Sequence, residues 1–203
     1  MKALLIVDVQ YDFLPGGALA VPNGNHIIEG INDIVERFEI VVATQDWHPD
    51  GHFSFASSHE GKHPFEELEI EDGKHQTLWP DHCVQGSKGA EISHDLDTNA
   101  IQAVIRKGMD PQIDSYSGFY DNFRKRNTGL SGYLKERQAT DLYVCGLAAD
   151  YCVFYTIMDA KREGFDTFFL EDLTRPIDHK GYAKARLIME NEGIELINSK
   201  NIQ

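Results

Sequence analysis

Basic residues are scarce in this chain of 203 residues, where 19 lysines and arginines face 33 aspartates and glutamates for a formal net charge of −14. That deficit excludes the basic patches on which binding to nucleic acid or an anionic membrane depends. A small neutral or cationic ligand meets no such obstacle. Cysteine is scarce too: Cys83, Cys145 and Cys152 are odd in number and spaced as neither a disulfide framework nor a zinc ribbon. Reduced thiols follow. Long apolar runs are missing, and Ala3–Val7 is too short for a signal-peptide core, has no cleavage-site pattern behind it and stops at Asp8. A cytoplasmic protein without a transmembrane span, repeat or linker is expected. With 41% hydrophobic and 26% charged residues, the chain suits one α/β domain over residues 1–203.

The stretch from Asp141 to Gly164 organises the rest. Leu142 to Cys145 suit a buried strand, whereas Val153, Phe154, Ile157 and Ala160 recur at helical spacing, so the period changes across Gly146 to Asp150. A strand, a tight turn and a helix are predicted, with Asp150 as N-cap and Gly164 as the C-terminal stop. Cys152 then falls in the first helical turn, where unpaired N–H groups and the helix dipole favour thiolate over thiol. The same turn can aim the N–H groups of Ala148 and Cys152 at a carbonyl oxygen gaining negative charge. Taken alone, Cys152 is more readily a small buried residue at a helix start.

Ala3–Val7 reads as a strand covered on both faces, and Asp8 at its end is either a turn former or a functional carboxylate. Gln10, Asp12, Phe13 and Pro15-Gly16-Gly17 form a loop above it, after which Ile27, Ile31, Ile34, Val35 and Phe38 mark an amphipathic helix. Ile40 to Thr44 is a second strand and leads into Asp46-Trp47-His48-Pro49. From about 45 to 99 runs a long irregular region, and loops of that length inside a compact domain are usually functional.

Asp46 and His48 stand two apart, so in extended backbone they share one face and can converge on a cation. His82 could close the set, and two imidazoles with one carboxylate suit zinc, iron or manganese with positions left for water or substrate. A solvated loop is the rival reading. His52 is a further candidate, as a fourth ligand or as a group behind the other three. Ala100 to Ile105 predicts a third buried strand ending at Arg106-Lys107-Gly108, although a lysine so placed ordinarily snorkels to the surface. Tyr116-Ser117-Gly118-Phe119 is an aromatic loop, and Thr128 caps a short helix carrying Leu130, Tyr133 and Leu134. Thr167 to Leu170 is a fifth strand. Ala185, Ile188 and Met189 mark a last helix ended by Gly193, and Ile194 to Ile197 a final strand.

Strands alternating with helices imply a parallel sheet built from right-handed crossovers, whose C-terminal strand ends share one edge. Asp8, Asp46, Lys107 and Cys152 are each expected just past the end of a different strand. A thiol needs a base to receive its proton and a cation to favour the thiolate, and Asp8 and Lys107 can fill those roles. A departing amine could then take the proton from Asp8. That is the chemistry of an amidase working through a thioester.

Five blocks now stand in order along nearly the whole chain: Asp8-Val-Gln-Tyr-Asp12-Phe13, Asp46-Trp47-His48-Pro49, Trp79-Pro-Asp-His82-Cys83, Val104-Ile-Arg-Lys107-Gly108 and Gly146-Leu-Ala-Ala-Asp150-Tyr-Cys152-Val153. In them the sequence resembles the isochorismatase-like cysteine hydrolases. The resemblance implies a three-layer α/β/α sandwich with a six-stranded, mainly parallel sheet. It also implies hydrolysis of nicotinamide to nicotinate and ammonia in NAD salvage, with pyrazinamide as a further substrate. Cys152 would be the nucleophile, Asp8 the base and Lys107 its cationic partner, with Ala148 and Cys152 N–H groups as the oxyanion hole. Asp46, His48 and His82 would hold one divalent metal, zinc before iron or manganese, facing the substrate's ring nitrogen. Phe13, Trp79 and Tyr116 match the family's aromatic pocket, and Leu147–Ala148 its cis peptide. Ala149 departs from the usual Thr or Ser, Tyr11 from a frequent Asn, and the segment between His52 and Trp79 matches loosely. The rivals are an amidase for another small amide, a zinc hydrolase with a structural Cys152, and a non-enzymatic nicotinamide binder. A homo-oligomer is left open.

Overall fold

The computed structural model describes residues 1–70 and 73–202. Its centre is a six-stranded parallel sheet in the order β5-β2-β1-β6-β7-β8, formed by Lys2–Val7 (β1), Ile40–Asp46 (β2), Ala103–Lys107 (β5), Asp141–Leu147 (β6), Asp166–Arg175 (β7) and Glu195–Ile197 (β8). The chain runs outward from β1 in one direction through β2 and β5, then returns to the other side of β1 with β6. The gap between β1 and β6 is therefore the switch point, where α/β sheets open a crevice at their C-terminal edge.

Alternation along the strands divides the core. Leu4, Ile6, Val41 and Ala43 face one way, against Ile28, Ile31 and Ile34 of α1 (Ile28–Ile34). Leu5, Val7, Val42 and Val144 face the other, against Leu130 and Leu134 of α2 (Leu130–Glu136), Val153 and Ile157 of α3 (Cys152–Arg162) and Met189 of α4 (His179–Asn191). Each such buried aliphatic side chain contributes roughly 1.5–3 kcal/mol. Helices cover both faces of the sheet, as the alternating pattern implies. Among the described residues no helix is long and apolar enough to cross a membrane.

Several expectations shift. The helix expected from Ile27 to Phe38 is α1 flanked by single 3-10 turns at Gly24–Ile27 and Val35–Arg37. Strand β5 is an edge strand rather than a buried one, with Val104 45% exposed, so Lys107 is its last inward-facing residue. Strand β7 runs to Arg175, past the expected end at Leu170, because the ladder with β6 resumes beyond an irregularity between Val144 and Gly146. Gly129, not Thr128, is the N-cap of α2, although Thr128 Oγ1 accepts from Leu130 N at 3.2 Å. Within the region expected as loop from 45 to 99 lies a two-stranded antiparallel ribbon, Glu67–Glu69 (β3) and His75–Thr77 (β4). Glu71 and Asp72 of that region lie outside the described residues.

Two glycines let backbones meet at the sheet's C-terminal edge. Gly146 has φ +111°, and a Cβ there would stand 2.1 Å from the Val7 carbonyl oxygen. Gly108 has φ +67°, and a Cβ there would stand 2.5 Å from the His48 ring and 2.8 Å from Asp46 Oδ1. Only glycine combines that conformation with that approach. Gly146→Ala should lower unfolding free energy in urea by about 2 kcal/mol or more. Wild-type stability in that variant would show that the seam of β1 and β6 does not depend on the missing side chain.

Candidate active site

Strand β2 and strand β5 are paired so that Asp46 lies opposite Lys107. Strand β1 ends one residue before Asp8, which takes a left-handed conformation with φ +48° and is fully buried. Helix α3 begins at Cys152, as the change of period predicts. These four ends converge on one ammonium. Lys107 Nζ lies 2.9 Å from Asp8 Oδ2, 3.2 Å from Asp46 Oδ1, 3.4 Å from Cys152 Sγ and 2.9 Å from the Ser115 carbonyl oxygen. Asp8 Oδ2 and Asp46 Oδ1 are otherwise without hydrogen-bond partners among the described residues, so that ammonium is their compensation. The second Asp8 oxygen accepts from Thr44 Oγ1 at 2.6 Å, which fixes the plane of the carboxylate.

Burial opposes charge on Lys107, yet Asp46 and Asp8 outweigh it and hold its pKa well above the usual lysine value. Burial likewise opposes the Asp46 carboxylate, but His48 and Lys107 bring it well below the usual range. Asp8 differs. Burial raises its pKa and Asp46 adds to the rise, with Lys107 acting against them. Burial also pushes the Cys152 thiol well up, against Lys107, and Asp8 adds by its charge and by a side-chain hydrogen bond. The expected lowering by the helix N-terminus is thus overridden: Cys152 is 7% exposed and faces two carboxylates across the ammonium. Enclosure thus favours the thiol over the thiolate and raises the basicity of the Asp8 carboxylate beside it.

The turn before α3 departs from its expected cap. Tyr151 is the N-cap and makes no side-chain cap bond, while both Asp150 oxygens accept from a distant loop, Ile177 N at 2.9 Å and Asp178 N at 2.8 Å. Leu147–Ala148 is a cis peptide. Ala149 N donates to Arg175 O, and Tyr151 N and Val153 N both donate to Ala148 O. In that loop the N–H groups of Ala148 and Cys152 take no backbone acceptor among the described residues. The Asp150 N–H takes none either.

Beside the ammonium, Asp46 Oδ2 lies 3.1 Å from His48 Nε2 and 3.4 Å from His82 Nε2. The other ring nitrogens face backbone carbonyls, His48 Nδ1 the oxygen of Gly108 at 3.0 Å and His82 Nδ1 that of Pro80 at 2.8 Å. A carbonyl only accepts, so each Nδ1 carries a proton and, in the neutral ring, each Nε2 presents a lone pair to the carboxylate. Three convergent lone pairs in a buried cluster call for a cation, and the donor set fits a divalent metal. Burial disfavours charge on His48, but Asp46 outweighs it and raises the pKa, which reports the same appetite for positive charge. His52 packs against His48 with ring centroids 4.3 Å apart and planes tilted by 41°, and its nitrogens face Ser54 Oγ and the Asp110 carbonyl, both at 2.8 Å. With His48 and Asp114 it makes a second buried group whose ligand atoms all lie within 4.8 Å of one another.

A cavity opens onto Cys152, Ala148, Asp46 and His82 together. Phe13, Trp79 and Tyr116 line it as expected, joined by Leu19, Tyr151, Ile177 and Asp114. Tyr151 has a sequence signal in its place next to Cys152. Ile177 has none, because it arrives through the Asp150 hydrogen bonds. Gln10 is a positioning residue that motif reading left without a role: its Nε2 donates to Asp46 O at 2.8 Å and its Oε1 accepts from Asp46 N at 2.8 Å. One amide thus clamps both backbone groups of a candidate ligand.

An isochorismatase domain model matches residues 2–201. A nicotinamidase of Acinetobacter baylyi is 45% identical over 201 residues, covering 98% of this chain and 94% of the relative. A solved Acinetobacter baumanii nicotinamidase/pyrazinamidase superposes with a TM-score of 0.96 at 46% identity, over 100% of this chain and 98% of the other. A Pyrococcus horikoshii pyrazinamidase solved in complex with zinc gives a TM-score of 0.79 at 35% identity, over 97% and 98% of the two chains.

Gln10→Leu should keep the fold and weaken divalent-metal binding by about tenfold to a hundredfold, measured by competition with a chromophoric chelator. Unchanged metal affinity would separate the Gln10 clamp from the ligand geometry.

Proposed function

Because the chain belongs to the isochorismatase domain family, and its nicotinamidase relatives match nearly end to end, we propose that it hydrolyses nicotinamide to nicotinate and ammonia. Pyrazinamide is the second substrate and NAD salvage the setting. The observation that carries the mechanism is the single ammonium touching Asp8, Asp46 and Cys152 at once. Three buried cysteines without disulfides suit a cytoplasmic enzyme.

Cys152 is the nucleophile, Asp8 the base and Lys107 the fixed cation. With the amide seated in the cavity, Asp8 takes the thiol proton as Sγ attacks the carbonyl carbon. Lys107 stabilises the forming thiolate and does not give up its own proton, because both carboxylates hold it charged. The carbonyl oxygen gains negative charge at the N–H groups of Ala148 and Cys152. Asp8 returns the proton to nitrogen, the C–N bond breaks, ammonia leaves and a thioester remains. Water then enters, Asp8 removes its proton as the oxygen attacks the thioester carbon, and when the C–S bond breaks Asp8 hands that proton to sulfur, which releases the acid and restores the thiol.

Asp46, His48 and His82 would hold the metal, zinc being the best match to two imidazoles and a carboxylate. When bound it supplies a Lewis acid for the ring nitrogen of a pyridine or pyrazine carboxamide. Phe13, Trp79 and Tyr116 set the plane of that ring, which places the carboxamide on the Cys152 side of the cavity.

Ammonia release from nicotinamide, measured for wild type, a chelated sample and Cys152→Ala together, tests the reading. Wild type should turn over. Chelation should raise KM, and Cys152→Ala should lower kcat by at least about a thousandfold while still binding nicotinate. A Cys152→Ala protein with near-wild-type kcat would remove the thioester from the mechanism.

A further inference from the structure

The ribbon of β3 and β4 stands apart from the main sheet, and its strand residues are exposed or half-buried with one exception. Gln76 is only 4% exposed. Its amide nitrogen lies 3.1 Å from Asp114 Oδ2, 3.1 Å from the Tyr116 hydroxyl and 2.8 Å from Thr77 O. The Tyr116 hydroxyl accepts in addition from Trp79 Nε1 at 3.2 Å. Two aromatic walls of the substrate cavity therefore meet at one oxygen, and a side chain from the ribbon holds that oxygen in place. Gln76 is not among the residues lining the cavity.

We propose that Gln76 is a positioning residue that sets substrate affinity and breadth by fixing the Tyr116 and Trp79 rings from behind; this rests on the nicotinamidase reading. The physical reason is the kind of restraint those rings otherwise have, which is ring packing alone, with Phe65 also against Trp79 at 6.0 Å and Tyr155 also against Tyr116 at 5.3 Å. Trp79 and Tyr116 contact each other edge to face with centroids 6.2 Å apart, and each meets Tyr151 the same way, at 4.8 Å and 5.5 Å. Edge contacts set distance but tolerate tilt, whereas a hydrogen bond at the ring's far end restrains direction. The two N–H groups of the Gln76 amide are shared among three acceptors, and the Tyr116 hydroxyl is one of them, so truncating the amide removes a direct restraint on that ring. A flat, unsubstituted heteroaromatic amide fits between rings held so. Loosened rings would hold it less well and would admit ring-substituted carboxamides.

The role leaves the reacting atoms untouched, so it predicts a split between KM and kcat. Gln76→Leu, near in size but without hydrogen bonds, should raise KM for nicotinamide about tenfold with kcat within about threefold of wild type. Its preference for nicotinamide over a ring-methylated analogue should fall by a similar factor. Gln76→Glu keeps the shape, places a carboxylate against Asp114 and serves should the leucine variant fold poorly. It should raise KM at least as much. In a Tyr116→Phe background the further effect of Gln76→Leu on KM should shrink below about twofold, because the shared hydroxyl is gone. Additive KM effects of the two substitutions, or a loss of kcat at unchanged KM, would overturn the assignment. Wild-type protein that releases no ammonia from nicotinamide would instead overturn the reading beneath it.

Discussion

A buried ammonium cannot stand alone in a protein interior, and Lys107 with a fully buried side chain is the charge around which this molecule is arranged. Its neighbours are two carboxylates, a thiol and a carbonyl oxygen, drawn from the ends of β1 and β2, the start of α3 and the loop after β5. Three N–H donors serve these four acceptors, and the two carboxylates supply the opposite charge. The fold supplies them because the topology switches direction between β1 and β6, bringing four strand ends to a single crevice. Edge strand β5 is half open to solvent, yet it delivers its last inward residue to the most enclosed point of the sheet.

The same cluster divides labour between its two carboxylates. Asp46 faces Lys107 on one side and two imidazoles on the other, so it stays ionised. Asp8 faces Lys107 and a threonine hydroxyl, with a raised pKa. Carboxylates pushed in opposite directions by their surroundings suit different tasks, a fixed charge and the proposed proton carrier. Gln10, two residues beyond Asp8, reaches across to clamp Asp46, so one loop couples the two.

Much of this was legible because strand ends are written in apolar runs. The stop after Val7, the change of period before Cys152 and the spacing of Asp46 and His48 each located a side chain to within a residue. What escaped depended on long-range contact. Asp150 has the chemistry of a cap, but the Ile177 and Asp178 amides compete for its oxygens and win. The Cys152 thiol is governed by enclosure with carboxylates from β1 and β2, which outweighs one helix terminus. Strand β5 has the composition of a covered strand, and nothing local reveals that no neighbour lies beyond it. The ribbon carrying Gln76 consists of two three-residue strands of mostly polar residues, too short for any period to show.

The direct test of the buried ammonium is Lys107→Met, which keeps the length and removes the charge. Two facing carboxylates should then lose their compensation, so unfolding free energy should fall by about 3–5 kcal/mol at neutral pH. Mass spectrometry of acid-quenched protein under turnover should find no acyl-thioester on Cys152 where wild type shows one. A Lys107→Met enzyme of wild-type stability that still accumulates the thioester would contradict the account at its centre.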